Sequence, residues 1–312
     1  MIKHIKRDHI HTINIYIFAL FLMIAISYIP KIDKPLNQYG LLKLPEKNEK
    51  DASVFNFKKE AFNNLNIKAK AYVVYDILER KVIAGKNENE ILPLASLTKI
   101  MTALTALSMS EKNTAINIEN KSLDGRLDLG LKKNQTWRLD ELLKYTLVFS
   151  SNDGAQAVAD NLGGRDEFVN LMNQKADEFK FNMDFTNPAG LDVNGKIGGE
   201  GSALAVANMM NEAWKKMPSI LDSTTQLRAT AVSSSGILYG IPNTNQEVNN
   251  FVGIEASKTG FTEKAGGNLA LVLDIAVGHP VVIVILGSTK TDRFNDAMIL
   301  YKSLKESLYG EK

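Results

Sequence analysis

The chain has 312 residues, 45% of them hydrophobic, with a formal net charge of +2, four histidines and no cysteine. That length suits one large globular domain or two moderate ones, and a nearly neutral balance without a basic, aromatic-interleaved stripe gives no support to nucleic-acid binding. With no cysteine, and no paired histidines outside the N-terminal tail, the usual zinc ligands are missing from the packed part of the chain, so neither a metal nor a cofactor is expected.

Lys3, Lys6 and Arg7 precede an uncharged run from Ile13 to Ile29, the pattern of a signal peptide or an uncleaved signal anchor. As a helix this run spans about 25 Å, slightly under the hydrocarbon thickness of a bilayer. Ala25-Ile26-Ser27 is a weak cleavage candidate followed by bulky Tyr28 and Ile29, so residues 1–30 are expected to be retained and to attach the protein to a membrane, with the remainder outside the cytoplasm. Residues 31–67, rich in Lys, Asn, Glu and Asp with Pro35 and Pro45, read as a polar stalk.

A packed domain is expected over 68–312. Tyr72–Tyr75 and Lys81–Ala84 form a strand pair. Leu97, Ile100, Met101, Leu104 and Leu107 recur at helical spacing within Ser96–Met109, and further helices are expected over 139–148, 153–162, 165–179 and 203–217. Gly267–Ile275 and Val281–Leu286 flank a Gly278-His279-Pro280 turn as an antiparallel hairpin. An amphipathic helix over 292–308 closes the chain. Strands from both ends with helices between them imply an α/β (α+β) fold: one antiparallel sheet flanked by helices, a helical subdomain, and an active-site cleft between the two.

Three motifs follow one another along this frame: Ser96-Leu97-Thr98-Lys99, Ser150-Ser151-Asn152 and Lys258-Thr259-Gly260. Ser-x-x-Lys alone arises roughly once by chance in a chain of this length, whereas the ordered set does not. Three residues apart on a helix, Ser96 and Lys99 share a face, so hydroxyl and amine can meet. The lysine acts as a base only if its pKa falls from about 10.4 toward 7–8; burial and a like charge can supply that, and Lys258 is the candidate charge. Ser150 can relay a proton and the Asn152 amide can hold a substrate carbonyl, although Ser-Ser-Asn-Asp also makes a good helix cap. Lys258 and Thr259, at the end of a strand bordering the cleft, can bind a carboxylate, and Gly260 leaves the backbone open to an extended peptide; a strand-end turn with a surface lysine accounts for the same residues. A Ser-His-Asp triad lacks a base, because His4, His9 and His11 lie in the N-terminal tail and His279 sits in a turn.

These residues resemble the penicillin-binding serine D-alanyl-D-alanine carboxypeptidases, within the wider β-lactamase/transpeptidase-like group. The likeness extends over about residues 70 to 305 through Ala71–Asp76, Leu94–Ala103, Asn187-Pro188-Ala189-Gly190-Leu191-Asp192 and Lys258–Thr262. It implies acylation of Ser96 by the penultimate D-alanine of a peptidoglycan stem peptide, with Lys99 as base and Ser150 and Asn152 assisting. It also implies carboxylate binding by Lys258 and Thr259 with support from Arg293, and an oxyanion hole of the Ser96 and Phe261 N–H groups. β-Lactam antibiotics would be covalent inhibitors. Phe261 stands where several relatives carry histidine and Leu94 where proline is frequent. Two other readings share the motifs: a serine β-lactamase, for which only Glu167 offers a water-activating carboxylate and reads as surface, and a catalytically silent penicillin- or peptidoglycan-binding module.

Overall fold

The computed structural model describes residues 56–119 and 130–309. The expected signal anchor and most of the expected stalk lie outside the described residues. Within them, the stalk reading fails near its end: Phe57, Phe62, Leu65 and Ile67 pack into an apolar cluster, and Lys58 N–H donates to the Ser307 carbonyl. Four apolar side chains in eleven residues are sufficient to hold a lysine-rich segment against the domain.

The sheet is antiparallel throughout, in the order β10-β11-β12-β1-β2, from β1 (Ala71–Asp76), β2 (Lys81–Lys86), β10 (Ile254–Thr262), β11 (Gly266–Asp274) and β12 (Pro280–Ser288). The first strand sits between the second and the last, paired Ala71 with Leu286 and Val74 with Ile283. Alternate residues face opposite sides. Val73, Tyr75, Val272, Val282 and Val284 enter one apolar cluster, while Tyr72, Val74, Leu271, Leu273, Ile283 and Ile285 enter another. Because both faces are covered, β11 and β12 read as unbroken apolar runs, and each fully buried Val, Ile or Leu contributes about 1.5–3 kcal/mol.

The second face is covered by α7 (Asp292–Tyr309), through Ala297, Leu300, Tyr301 and Leu304. On the first lie α1 (Thr98–Met109), α2 (Leu139–Val148), α3 (Asn152–Asn161), α4 (Arg165–Glu178), α5 (Ala203–Lys216) and the short α6 (Pro218–Asp222). Their apolar stripes merge with the sheet's inner face in one continuous core, so the helical part is not a separately cored subdomain. Three small antiparallel ribbons were not legible in the sequence. They are β3 (Leu92–Pro93) with β7 (Gly199–Gly201) and β6 (Met183–Phe185), β4 (Ala115–Asn117) with β5 (Thr136–Arg138), and β8 (Arg228–Val232) with β9 (Leu238–Pro242).

Lys258-Thr259-Gly260 does not end a strand. It lies inside β10, the edge strand, which continues through Thr262. Ser257 to Gly260 are buried although polar, because Ser257 bonds Thr224 through both N–H (2.9 Å) and hydroxyl (2.8 Å), and Gly260 abuts the Leu94 carbonyl.

Candidate active site

Ser96 occupies a 3₁₀ turn, Ala95–Leu97, that runs directly into α1. In that geometry residues i and i+3 eclipse, which stacks Lys99 on Ser96 more directly than an α-helix does. Lys99 Nζ lies 2.9 Å from Ser96 Oγ, 2.8 Å from Asn152 Oδ1 and 2.7 Å from the Ala189 carbonyl. Neither carbonyl-type oxygen can give up a proton. A neutral amine there spends both N–H bonds on Asn152 and Ala189, which leaves its lone pair for the Ser96 hydroxyl.

The Ala189 carbonyl is aimed by its own turn. Asn187 Oδ1 accepts from the N–H of Ala189 (3.1 Å), Gly190 (2.8 Å) and Leu191 (3.2 Å), and Thr102 Oγ1 donates to the Pro188 carbonyl at 2.6 Å. Gly190 has φ +74°, and a Cβ there would fall 2.0 Å from the Ala95 carbonyl oxygen, so no other residue fits that turn unchanged. The sequence marked Asn187 to Asp192 as familiar without assigning it work. Its contribution is a backbone carbonyl, which no side-chain motif records.

The second motif divides its labour. Ser151 is the N-cap of α3, its hydroxyl accepting from Gly154 N–H at 2.8 Å, as the capping alternative anticipates. Ser150 does something else: it adopts φ +64°, a costly value for a residue with a Cβ, and accepts a hydrogen bond from Lys258 Nζ at 2.8 Å. Ala95, immediately before Ser96, has φ +49°. Two non-glycine residues in the left-handed region thus flank the cleft.

Lys258 is buried and also donates to the Thr259 carbonyl at 2.9 Å. Burial first, then repulsion from Lys99 and Arg293, holds its pKa well below that of an ordinary lysine. Repulsion from Lys99 thus acts on Lys258 second only to burial. The Thr259 hydroxyl donates to that of Thr244 at 2.7 Å, and Thr244 N–H donates to the Val148 carbonyl at 3.1 Å; this threonine, which no sequence motif singled out, ties the β10 hydroxyl to the end of α2. Arg293, in the first turn of α7, is buried and donates from Nη1 to the Gly260 carbonyl at 2.7 Å. Burial lowers its pKa to about 10, so it stays charged near neutrality. That bond fixes the backbone of β10 from behind.

Gly260 lies against the backbone of Leu94 and Ser96. A Cβ there would sit 2.9 Å from the Leu94 carbonyl oxygen and 3.3 Å from Ser96 N. Phe261 follows, 38% exposed, with Lys290 Nζ 5.3 Å from its ring centroid. The expected residues therefore converge from α1, α3 and β10. His279 is elsewhere: it is buried, its Nε2 3.0 Å from Asp76 Oδ2 at the far end of β1, so its exclusion as a base stands. Glu167 is exposed in the first turn of α4. Among the described residues no group of three or more histidine, cysteine or acidic side chains is placed to hold a metal ion.

Two curated proteins and one solved structure illustrate the likeness. D-alanyl-D-alanine carboxypeptidase DacF of Bacillus subtilis is 29% identical across 74% of this chain and 60% of its own length. The chain thus spans about three fifths of that relative. A D-alanyl-D-alanine endopeptidase of Pseudomonas aeruginosa is 31% identical across 72% of this chain and 73% of its own. Penicillin-binding protein D2 of Listeria monocytogenes, solved in an ampicillin-bound form, superimposes with a TM-score of 0.68 at 25% identity, covering 77% of this chain and 99% of that one. The family pattern of peptidase S11, D-alanyl-D-alanine carboxypeptidase, matches residues 58–290. The chain belongs to that family.

Proposed function

We propose that the protein is a serine-type D-Ala-D-Ala carboxypeptidase that removes the terminal D-alanine from peptidoglycan stem pentapeptides through an acyl-enzyme on Ser96. The observation that carries the reading is Lys99 Nζ, 2.9 Å from Ser96 Oγ with two further acceptors that cannot donate. Lys99 takes the hydroxyl proton as Oγ attacks the penultimate carbonyl carbon. The Ser96 and Phe261 N–H groups receive the developing oxyanion, and each such donor is worth about 3–4 kcal/mol. Ser150, linked to Lys258, passes a proton to the departing amine as the C–N bond breaks, and D-alanine leaves. Water then cleaves the ester, with Lys99 again as base. Asn152 holds the peptide backbone, and Lys258 and Thr259 bind the terminal carboxylate, with the Arg293 charge behind Gly260 adding to the attraction.

A β-lactam carries its strained amide and carboxylate in the same relation and is expected to acylate Ser96. The exposed position of Glu167 supports slow release of that adduct rather than β-lactamase turnover. We also propose that the uncharged run Ile13–Ile29 anchors the protein outside the cytoplasm and that the catalytic domain occupies 68–312, with the packed strap from Phe57 leading into it. Among the described residues no helix is long and apolar enough to cross a membrane.

The test is incubation of the purified full chain with acyl-L-lysyl-D-alanyl-D-alanine and, separately, with penicillin. Release of D-alanine together with a stable penicilloyl adduct on Ser96 supports the reading. Neither product overturns it; an adduct without release favours a binding module, and rapid penicillin turnover favours a β-lactamase.

A further inference from the structure

The two N–H groups assigned to the oxyanion come from different parts of the fold, Ser96 from the turn before α1 and Phe261 from β10. The gap between them is narrow. A Cβ on Gly260, beside Phe261, would sit 3.3 Å from Ser96 N and 3.3 Å from the Ala95 Cβ. The turn must be held at that distance from outside, because Ala95 lies in the left-handed region at φ +49°, a conformation that persists only where its surroundings enforce it.

Asn268, on β11, is placed to hold it. It pairs directly with Gly260, and residues opposite one another in an antiparallel ladder point to the same face. A register shift between Gly267 and Leu269 marks a bulge at this residue, and bulges re-aim side chains. The Asn268 side chain is buried. Its Nδ2 donates to the Pro93 carbonyl at 2.9 Å, across 175 residues of sequence, and its Oδ1 accepts from Gly287 N–H at 2.8 Å. A carbonyl partner requires the NH2 and an N–H partner requires the oxygen, so the amide has one orientation. Pro93 stands three residues before Ser96, and Leu94 N–H, between them, donates to the Gly199 carbonyl at 2.8 Å. The turn that carries Ser96 is therefore tied to β7 by its backbone and to the main sheet by Asn268.

We propose that Asn268 is a positioning residue that fixes the separation of the Ser96 and Phe261 N–H groups. Its backbone is laddered to the strand that bears one donor, and its side chain is bonded to the segment that bears the other. The assignment rests on the acyl-enzyme reading for the identity of those donors. Asn268 acts through the two backbones without touching substrate, and a displacement of about 1 Å at a reacting centre can cost about 10²-fold in rate. Two substitutions isolate the Pro93 bond. Asn268→Asp keeps an acceptor for Gly287 but sets an oxygen against the Pro93 carbonyl, and Asn268→Ser is too short to reach Pro93 and adds no charge.

The test uses the full chain. Stopped-flow acylation of Ser96 over a range of penicillin concentrations separates the limiting rate from the binding constant. A peptidyl boronic acid, whose tetrahedral adduct on a serine puts an oxygen where the oxyanion forms, supplies a second measure. Both Asn268 variants are expected to lower the limiting rate about 10- to 100-fold, to weaken the boronic acid by a similar factor and to leave the penicillin binding constant within about twofold. Because Asn268 and Gly260 act on one gap, the loss in the double variant Asn268→Ser, Gly260→Ala should fall short of the product of the single losses. Amide exchange should quicken over residues 92–98 in Asn268→Ser and stay unchanged over 139–148. A limiting rate within about threefold of the parent in either folded variant, or a loss carried by the binding constant alone, overturns the assignment. Equal quickening of exchange in both segments, or a chain that folds with neither substitution, assigns Asn268 to stability and overturns it as well. If the parent yields neither adduct nor D-alanine, the carboxypeptidase reading falls, and the local exchange still decides whether Asn268 holds the turn.

Discussion

Two lysines share one cleft, and their surroundings differ. Lys99, on the helical side, faces one hydroxyl and two oxygens that cannot donate a proton. Lys258, on the sheet side, donates to the Ser150 hydroxyl and to the carbonyl of its own neighbour, and is destabilised as a cation by burial and by the charges of Lys99 and Arg293. In the proposed mechanism the same functional group serves as a base where its surroundings leave a lone pair toward Ser96, and as a displaced charge where they supply repulsion. The helical side sets direction; the sheet side sets potential.

The comparison breaks first at Lys99. Lys99→Met is expected to slow penicillin acylation of Ser96 by about 10²–10⁴, the range of a lost general base, in a stopped-flow or labelling assay; a loss under tenfold transfers the base role to Lys258. Gly260→Ala tests the join between the two sides. Its methyl would crowd the Leu94 carbonyl at 2.9 Å and Ser96 N at 3.3 Å, displacing a proposed oxyanion donor, so acylation should fall about 10- to 100-fold with KM for a peptide nearly constant.

Asn187→Ala removes the acceptor of three N–H groups and frees the Ala189 carbonyl to swing from Lys99. Acylation should fall about tenfold and stability by about 1–3 kcal/mol. Asn187→Asp, which still accepts, should restore most of the rate if the turn acts by aiming that carbonyl.

The smallest effect is thermal and belongs to Lys258. Its folded pKa lies well below the 10.5 of a free lysine, so between those values the folded protein binds fewer protons than the unfolded chain and stability rises with pH. Below that window the buried charge destabilises the fold. Lys258→Met should therefore melt higher than the parent near pH 6, by about 2–4 °C for each kcal/mol relieved, and the advantage should shrink as pH approaches 10. A constant difference across pH would assign the gain to packing alone.

The helices and the central strands were readable because burial on one or both faces leaves a periodic or continuous apolar record, as in Leu97 to Leu107 and Val281 to Leu286. β10 was read too short because Ser257 to Gly260 owe their burial to Thr224 and Leu94, distant in sequence, rather than to their own hydrophobicity. The short ribbons carry too few residues for a period. At the site, side-chain chemistry was legible and backbone chemistry was not: Ser96, Lys99, Ser150, Asn152 and Lys258 could be named from spacing, whereas the Ala189 carbonyl leaves no trace beyond the Asn187-Pro188 turn signal. Thr244 was missed for a related reason, since a lone threonine after Asn243 reads as loop until Thr259 is beside it.

The placement of the first strand between the second and the last has a kinetic consequence. Asp296 accepts hydrogen bonds from the backbone of Lys68, 228 residues away, and of Ala69, and Lys258 meets Ser150 across 108 residues. Contacts of such separation form late, because the entropy of closing the chain is lost before they return anything. Ser96 and Lys99 are close in sequence, yet Lys258 joins them only when β10 has paired into the sheet. Penicillin labelling of refolding protein should therefore appear with the slowest folding phase, and a chain arrested before sheet closure carries its serine without reactivity.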